Sequence, residues 1–173
     1  MSMIDPQAAI EITGYEWVPD FARGFVRDLR PRWACEEAGI PYRERLANIS
    51  HKPDWLLATQ PWGQVPIMRD GDVTLFESGA TLMHLGEMSE VLLPSEPQAR
   101  GEAISWLFGA FNSVEPAMFE FTNVTVFARD QERGETAAAE LGGIRRAAPR
   151  SARTAARRAG LARGSFYHCR YRH

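Results

Sequence analysis

Gln60-Pro61-Trp62-Gly63-Gln64-Val65-Pro66-Ile67-Met68, then Asp70-Gly71-Asp72, then Leu75-Phe76-Glu77-Ser78-Gly79-Ala80: the fold of this 173-residue chain is decided in this stretch. Val65 to Met68 and Val73 to Phe76 are short apolar runs, and the Asp-Gly step between them signals a hairpin. Pro66 suits the first residue of a strand, where its missing N–H is not needed. Ser78 then opens a helical pattern with Leu82, Met83 and Leu85 on one face.

Upstream, Ile10 to Gly14 alternates apolar and polar residues, as a half-buried strand does. After a loop centred on Pro19, Asp28 is placed to cap a helix running through Trp33, Ala34 and Cys35 to Ala38. Gly39 and Pro41 are its stop signals, and Pro31 falls in the first turn, where proline is tolerated. Tyr42 to Leu46 reads as a second strand and Pro53 to Thr59 as a short helix. The order is therefore β-α-β-α-β-β-α, an α/β layer with a parallel pair first and an antiparallel hairpin second. Downstream, Leu92 to Pro97 reads as a linker. Ala103, Ile104, Trp106, Leu107, Ala110 and Phe111 then recur at helical spacing. Pro116 bends or restarts that helix, which Ala117 to Arg129 could continue.

Composition is ordinary for a globular protein, with 45% hydrophobic and 24% charged residues. No run of about 18 apolar residues suggests a membrane span, and the N-terminus lacks the features of a secretory signal. The two cysteines, Cys35 and Cys169, form no CxxC or Cys/His cluster, so neither a structural zinc site nor a dithiol redox site is expected. A cytosolic, reducing compartment fits this usage.

The hairpin and its flanks resemble the glutathione transferase family, whose pattern is N-P-x-G-x-V-P-x-L, then D-G, then L-x-E-S-x-A-I. Arg32 to Tyr42 is similar to the family's first helix and second strand, so the resemblance covers roughly residues 10–93. It implies a thioredoxin-like domain over residues 1–93, followed by the start of an all-helical domain over 94–140. It also implies a peptide bond at Val65-Pro66 that is cis, a form proline tolerates at about 0.5–1 kcal/mol. That bond would turn the Val65 main chain outward, to pair with the cysteinyl unit of glutathione as an added strand. Ser78 and the helix N-terminus would take the γ-glutamyl carboxylate and Glu77 the ammonium group. Gln64 and Lys52 are candidates for the peptide and the glycyl carboxylate, with His51 beside them. The implied reaction is attack of the glutathione sulfur on a small electrophile, with glutathione as co-substrate and no metal. Members usually pair as homodimers.

The family activates the thiol from a Tyr, Ser or Cys near the first strand. A free thiol has a pKa of about 8.5, so lowering it by two units takes roughly 2.7 kcal/mol of thiolate stabilisation. Pro19 to Asp28 contains none of those three residues. Tyr15 is the nearest phenol, and Arg23 or Arg27 offers a cationic alternative. Cys35 lies inside the helical pattern and reads as a core residue; Met83, His84 and Trp106 likewise read as packing. The rival function is a non-catalytic glutathione-binding or scaffold module of the same fold.

Residues 1–140 carry 11 basic against 22 acidic residues, whereas 141–173 carry nine arginines and no acid. Such a tail reads either as a disordered basic segment that binds nucleic acid or as the product of a shifted reading frame. Codons compatible with its end, read one base later, spell Ala-Phe-Thr-Ile-Ala-Asp-Ile-Val, which resembles a capping box of the family's helical domain. The shifted frame is the preferred expectation; it makes nucleic-acid binding a minor rival and the helical domain incomplete.

Overall fold

The structure, a computed structural model, describes residues 2–123; the Arg-rich segment 141–173 and the reading-frame expectation lie outside the described residues. Residues up to Phe111 form one compact unit, and a second begins at Asn112.

The first unit is built on a four-stranded sheet in the order β2-β1-β3-β4, from β1 (Ile10–Tyr15), β2 (Tyr42–Ala47), β3 (Ile67–Asp70) and β4 (Val73–Phe76). β1 runs parallel to β2 with Ile10 opposite Tyr42, and antiparallel to β3 with Ile12 opposite Met68. β3 and β4 form the expected hairpin, Asp70 opposite Val73, with Gly71 and Asp72 as the turn. Helices α1 (Leu29–Ala38), α2 (Asp54–Thr59) and α3 (Ser78–Glu87) interleave in the order read from the sequence. This is a thioredoxin-like mixed sheet with helices.

Period-two alternation splits the core in two. Ile10, Ile12, Tyr42 and Met68 pack with Ala34, Cys35 and Leu85 of α1 and α3. Ile67, next to Met68 but pointing the other way, packs with Ala47, Leu56 and Val65. Burying a side chain such as Met68 or Leu85 stabilises by about 1.5–3 kcal/mol. α1 ends as its sequence dictates: Gly39 adopts the left-handed conformation at φ 66° and its N–H returns to the Cys35 carbonyl.

The strand-like start of the chain is tied to the sheet. The Tyr42 N–H donates to the Met3 carbonyl and the Asp5 N–H to the Tyr42 carbonyl. The Glu36 carboxylate accepts from the Met3 N–H at 3.0 and 3.1 Å.

α4 (Pro97–Gly109) completes the first unit in helical form; the Glu96 side chain caps it by accepting from the Gln98 and Ala99 N–H groups. Its apolar periodicity is real, yet no α4 residue is fully buried. Ala103, Ile104 and Leu107 line a shallow groove with Leu82, Met83 and Leu93, whereas Trp106 is 52% exposed and so not a packing residue. A π-helical turn at Ala110–Val114 follows, then α5 (Glu115–Thr122) with Pro116 in its first turn. The helix thus restarts at Pro116, as a proline without an N–H requires.

Candidate functional site

The hairpin register brings two segments together. Because Ile67 pairs with Phe76, the residues entering β3 and those leaving β4 run side by side at one end of the sheet. On one side, the Val65-Pro66 bond is cis and both residues are buried. Neither main-chain polar group of Val65 has a backbone partner among the described residues. On the other side, Glu77 holds φ 71° with ψ 120°, a sparsely populated combination that costs a non-glycine residue about 1–3 kcal/mol. That turn feeds directly into α3. It leaves the Glu77 carboxylate exposed and buries Ser78, the first residue of α3, to 2% exposure. The Ser78 hydroxyl accepts a hydrogen bond from an Arg30 guanidinium nitrogen at 3.0 Å. Thr81 Oγ1 donates to the Ser78 carbonyl at 2.8 Å.

Gly63 closes the loop before Val65, at φ 60°. A side chain there would meet Leu57 at 3.0 Å and Lys52 Nζ at 3.5 Å, so the Lys52 ammonium lies over Gly63, next to Gln64. Lys52 and Gln64 are both exposed, and the His51 N–H is held by Asn48 Oδ1 at 2.9 Å. The structure therefore gathers Val65, Pro66, Glu77 and Ser78 at the hairpin end, with Lys52 and Gln64 just upstream.

Tyr15 is half-buried at the end of β1, against the cluster that contains Val65. Burial pushes its phenol up, and the neighbouring Asp28 charge adds to the rise. It therefore stays a protonated hydrogen-bond donor at neutral pH. Asp28 departs from the expectation for it. It occupies the cap position of α1, but its side chain makes no capping hydrogen bond. Instead Oδ2 accepts from Arg32 at 3.2 Å, and Arg32 also pairs with Glu44 on β2. The pocket for this carboxylate exists because residue 14 is glycine: a Cβ there would lie 2.7 Å from Asp28 Oδ2. Asp28 is fully buried, its Oδ1 has no hydrogen-bond partner among the described residues, and burial outweighs Arg32 in raising its pKa.

Arg23 is engaged with Asp20 at 3.2 Å on the surface, and Arg27 is half-buried. Cys35 is enclosed in the core, where burial, then Glu36, pushes its thiol up to about 12; it holds no thiolate at neutral pH. His84 of α3, which the sequence leaves without a partner, meets Asp70 at the end of β3 at 2.8 Å. No group of three or more His, Cys, Asp or Glu with metal-binding geometry occurs among the described residues. The sequence reading missed Arg30, whose partner lies 48 residues away. It also missed the Asp28–Arg32 pair, although the i,i+4 spacing of opposite charges could have signalled it.

Residues 22–87 match the family model for the glutathione S-transferase N-terminal domain. Glutathione S-transferase 4 of Zea mays is 35% identical over 81 residues, which cover 44% of this chain and 33% of that protein. Glutathione S-transferase F10 of Arabidopsis thaliana is 33% identical over 100 residues, covering 53% of this chain and 46% of the relative. Matches to these relatives thus span between a third and a half of their length. Among solved structures, the theta class glutathione S-transferase of Xanthomonas axonopodis pv. citri, with glutathione bound, superposes at TM-score 0.62 and 24% identity. That match covers 78% of this chain and 64% of the other, and at this identity it speaks for the fold.

Proposed function

We propose that this chain binds glutathione at the hairpin end and presents its sulfur to small electrophiles, as a glutathione transferase does. The observation that carries the reading is the juxtaposition of the Val65 main chain, which has no backbone partner among the described residues, with Glu77 and Ser78 across the hairpin register. An extended peptide can pair with Val65 as an added strand. Beside it, one anionic and one hydroxyl-bearing residue suit the ammonium and carboxylate of a γ-glutamyl end. Lys52 over Gly63 offers a cation for the carboxylate at the far end of the tripeptide. Tyr15, protonated and packed against the Val65 cluster, is the donor for the thiolate. The sulfur attacks the electrophilic carbon, the leaving group departs with its electron pair, and the thiol proton passes to solvent.

A non-catalytic glutathione-binding module is the second reading, favoured by the absence of Ser, Cys and Tyr between Pro19 and Asp28. The two separate on one preparation. Retention on immobilised glutathione with turnover of chlorodinitrobenzene is expected for the transferase, retention without turnover for the module. A folded chain that passes through the matrix unretained would refute both. A homodimer through the family's domain junction remains part of the transferase proposal, to be read by sedimentation. The domain limits at 93 and 140 and a cytoplasmic setting belong to it as well; among the described residues no helix is long and apolar enough to cross a membrane.

A further inference from the structure

We infer that Arg30 is a positioning residue for the γ-glutamyl carboxylate, acting through Ser78; this rests on the glutathione reading above. Arg30 lies in the first turn of α1, far in sequence from the hairpin, yet its guanidinium donates to Ser78 Oγ at 3.0 Å. A serine hydroxyl has one proton and two lone pairs. With a lone pair occupied by Arg30, the proton is directed away from the guanidinium and is left to donate to a ligand. A hydroxyl whose oxygen already accepts from a cation is also a stronger donor, because its O–H bond is polarised. The positive charge sits one hydrogen bond from where a carboxylate would rest, so it contributes attraction as well as orientation.

The guanidinium has a second neighbour that fixes it. Its carbon stands 4.7 Å from the centroid of the Phe111 ring, within cation–π range. The ring edge also lies against the start of α3: a Cβ at residue 79 would stand in ordinary van der Waals contact with it, at 3.5 Å. Phe111, Arg30 and Ser78 therefore form a chain of contacts running from the ring through the guanidinium to the hydroxyl. Glu77, next to Ser78, supplies the opposite charge, so the pair Arg30/Ser78 and Glu77 matches a zwitterionic amino-acid end. The ligand class is an α-amino acid terminus, and the discriminating group is its carboxylate.

The test is titration calorimetry on the full chain with two peptides, glutathione and γ-aminobutyryl-cysteinyl-glycine, which lacks only the γ-glutamyl α-carboxylate. Arg30→Gln is expected to weaken glutathione by roughly tenfold to a hundredfold, the range of a charge-assisted hydrogen bond. It should leave the decarboxylated peptide within about twofold of wild type, because the coupling partner is missing. Arg30→Lys, which keeps the charge but not the fork, should recover part of the loss. An equal loss for both peptides, or none for either, overturns the role of Arg30 and leaves the glutathione site standing. A folded wild type that binds neither peptide overturns the site and the role together. Should Arg30→Gln fail to fold, Phe111→Leu removes the ring behind the guanidinium and must give the same selective loss of glutathione.

Discussion

At the scale of single residues, the least expected feature is the buried carboxylate of Asp28 under the β1–α1 connection. Its folded pKa is raised above the ordinary aspartate value, so the folded state holds the proton where the unfolded chain has released it. The stability it contributes is complete below the unfolded pKa, about 3.9, and is lost as pH rises through the higher folded value. Asp28→Asn removes this loss. The stability of the Asn variant minus that of wild type should therefore increase from pH 4 upward, by urea denaturation; a difference that falls with pH would contradict the sign. Gly14→Ala drives a methyl against the same carboxylate and should cost about 1–3 kcal/mol. In an Asp28→Ala background that cost should shrink, since the clashing atom is gone. For chemistry, Tyr15→Phe should lower turnover roughly a hundredfold, with the glutathione dissociation constant nearly unchanged. An unaltered rate would move thiol activation to another donor. Neither the Gly14–Asp28 contact nor the surroundings of Tyr15 read easily from sequence, because each depends on what the fold packs against the end of β1. The hairpin positions were legible for the opposite reason: Val65, Pro66, Glu77 and Ser78 lie close in sequence and in a fixed pattern.

Among the elements, α2 is the test of how far packing substitutes for propensity. Six residues are too few for a helix to hold itself in water. Leu56, fully buried among Ala47, Val65 and Ile67, docks it. Leu56→Ala should cost about 2–5 kcal/mol by denaturation. It should also speed amide exchange across residues 52–64 more than across α1, because Lys52 and Gly63 hang on the same segment. Exchange that rises uniformly would show α2 to be no separate unit. The element order, the left-handed stop at Gly39 and the Asp-Gly turn were all readable, since local chemistry sets them. The α1 cap was misread because a cap residue is judged by identity alone. Asp28 has a competing partner four residues on and a cavity provided by Gly14, and the ion pair prevails over the cap. α4 was read correctly as a helix, but its periodicity could not tell how much of its apolar face is covered.

For the molecule as a whole, apolar surface is the salient property. Trp17, Phe21, Phe25 and Trp62 of the first unit are more than half exposed, and Phe25 reaches 83%. In the second unit Val114 and Phe119 are exposed to a similar degree. Exposed large apolar side chains favour association where they adjoin one another, as the sequence spacing of Trp17, Phe21 and Phe25 allows. The chain is expected to self-associate, with a sedimentation coefficient that rises with concentration and with strong binding of an apolar dye. A monodisperse monomer that binds no dye would contradict this. The tie between Met3, Asp5 and Tyr42 also decides how the protein can be handled. Its first residues act as a selvedge on β2, finishing one end of an otherwise raw border. Cutting them away, or displacing them with a bulky leader peptide, would offer that border to a neighbouring molecule's backbone, so purification handles are better carried elsewhere.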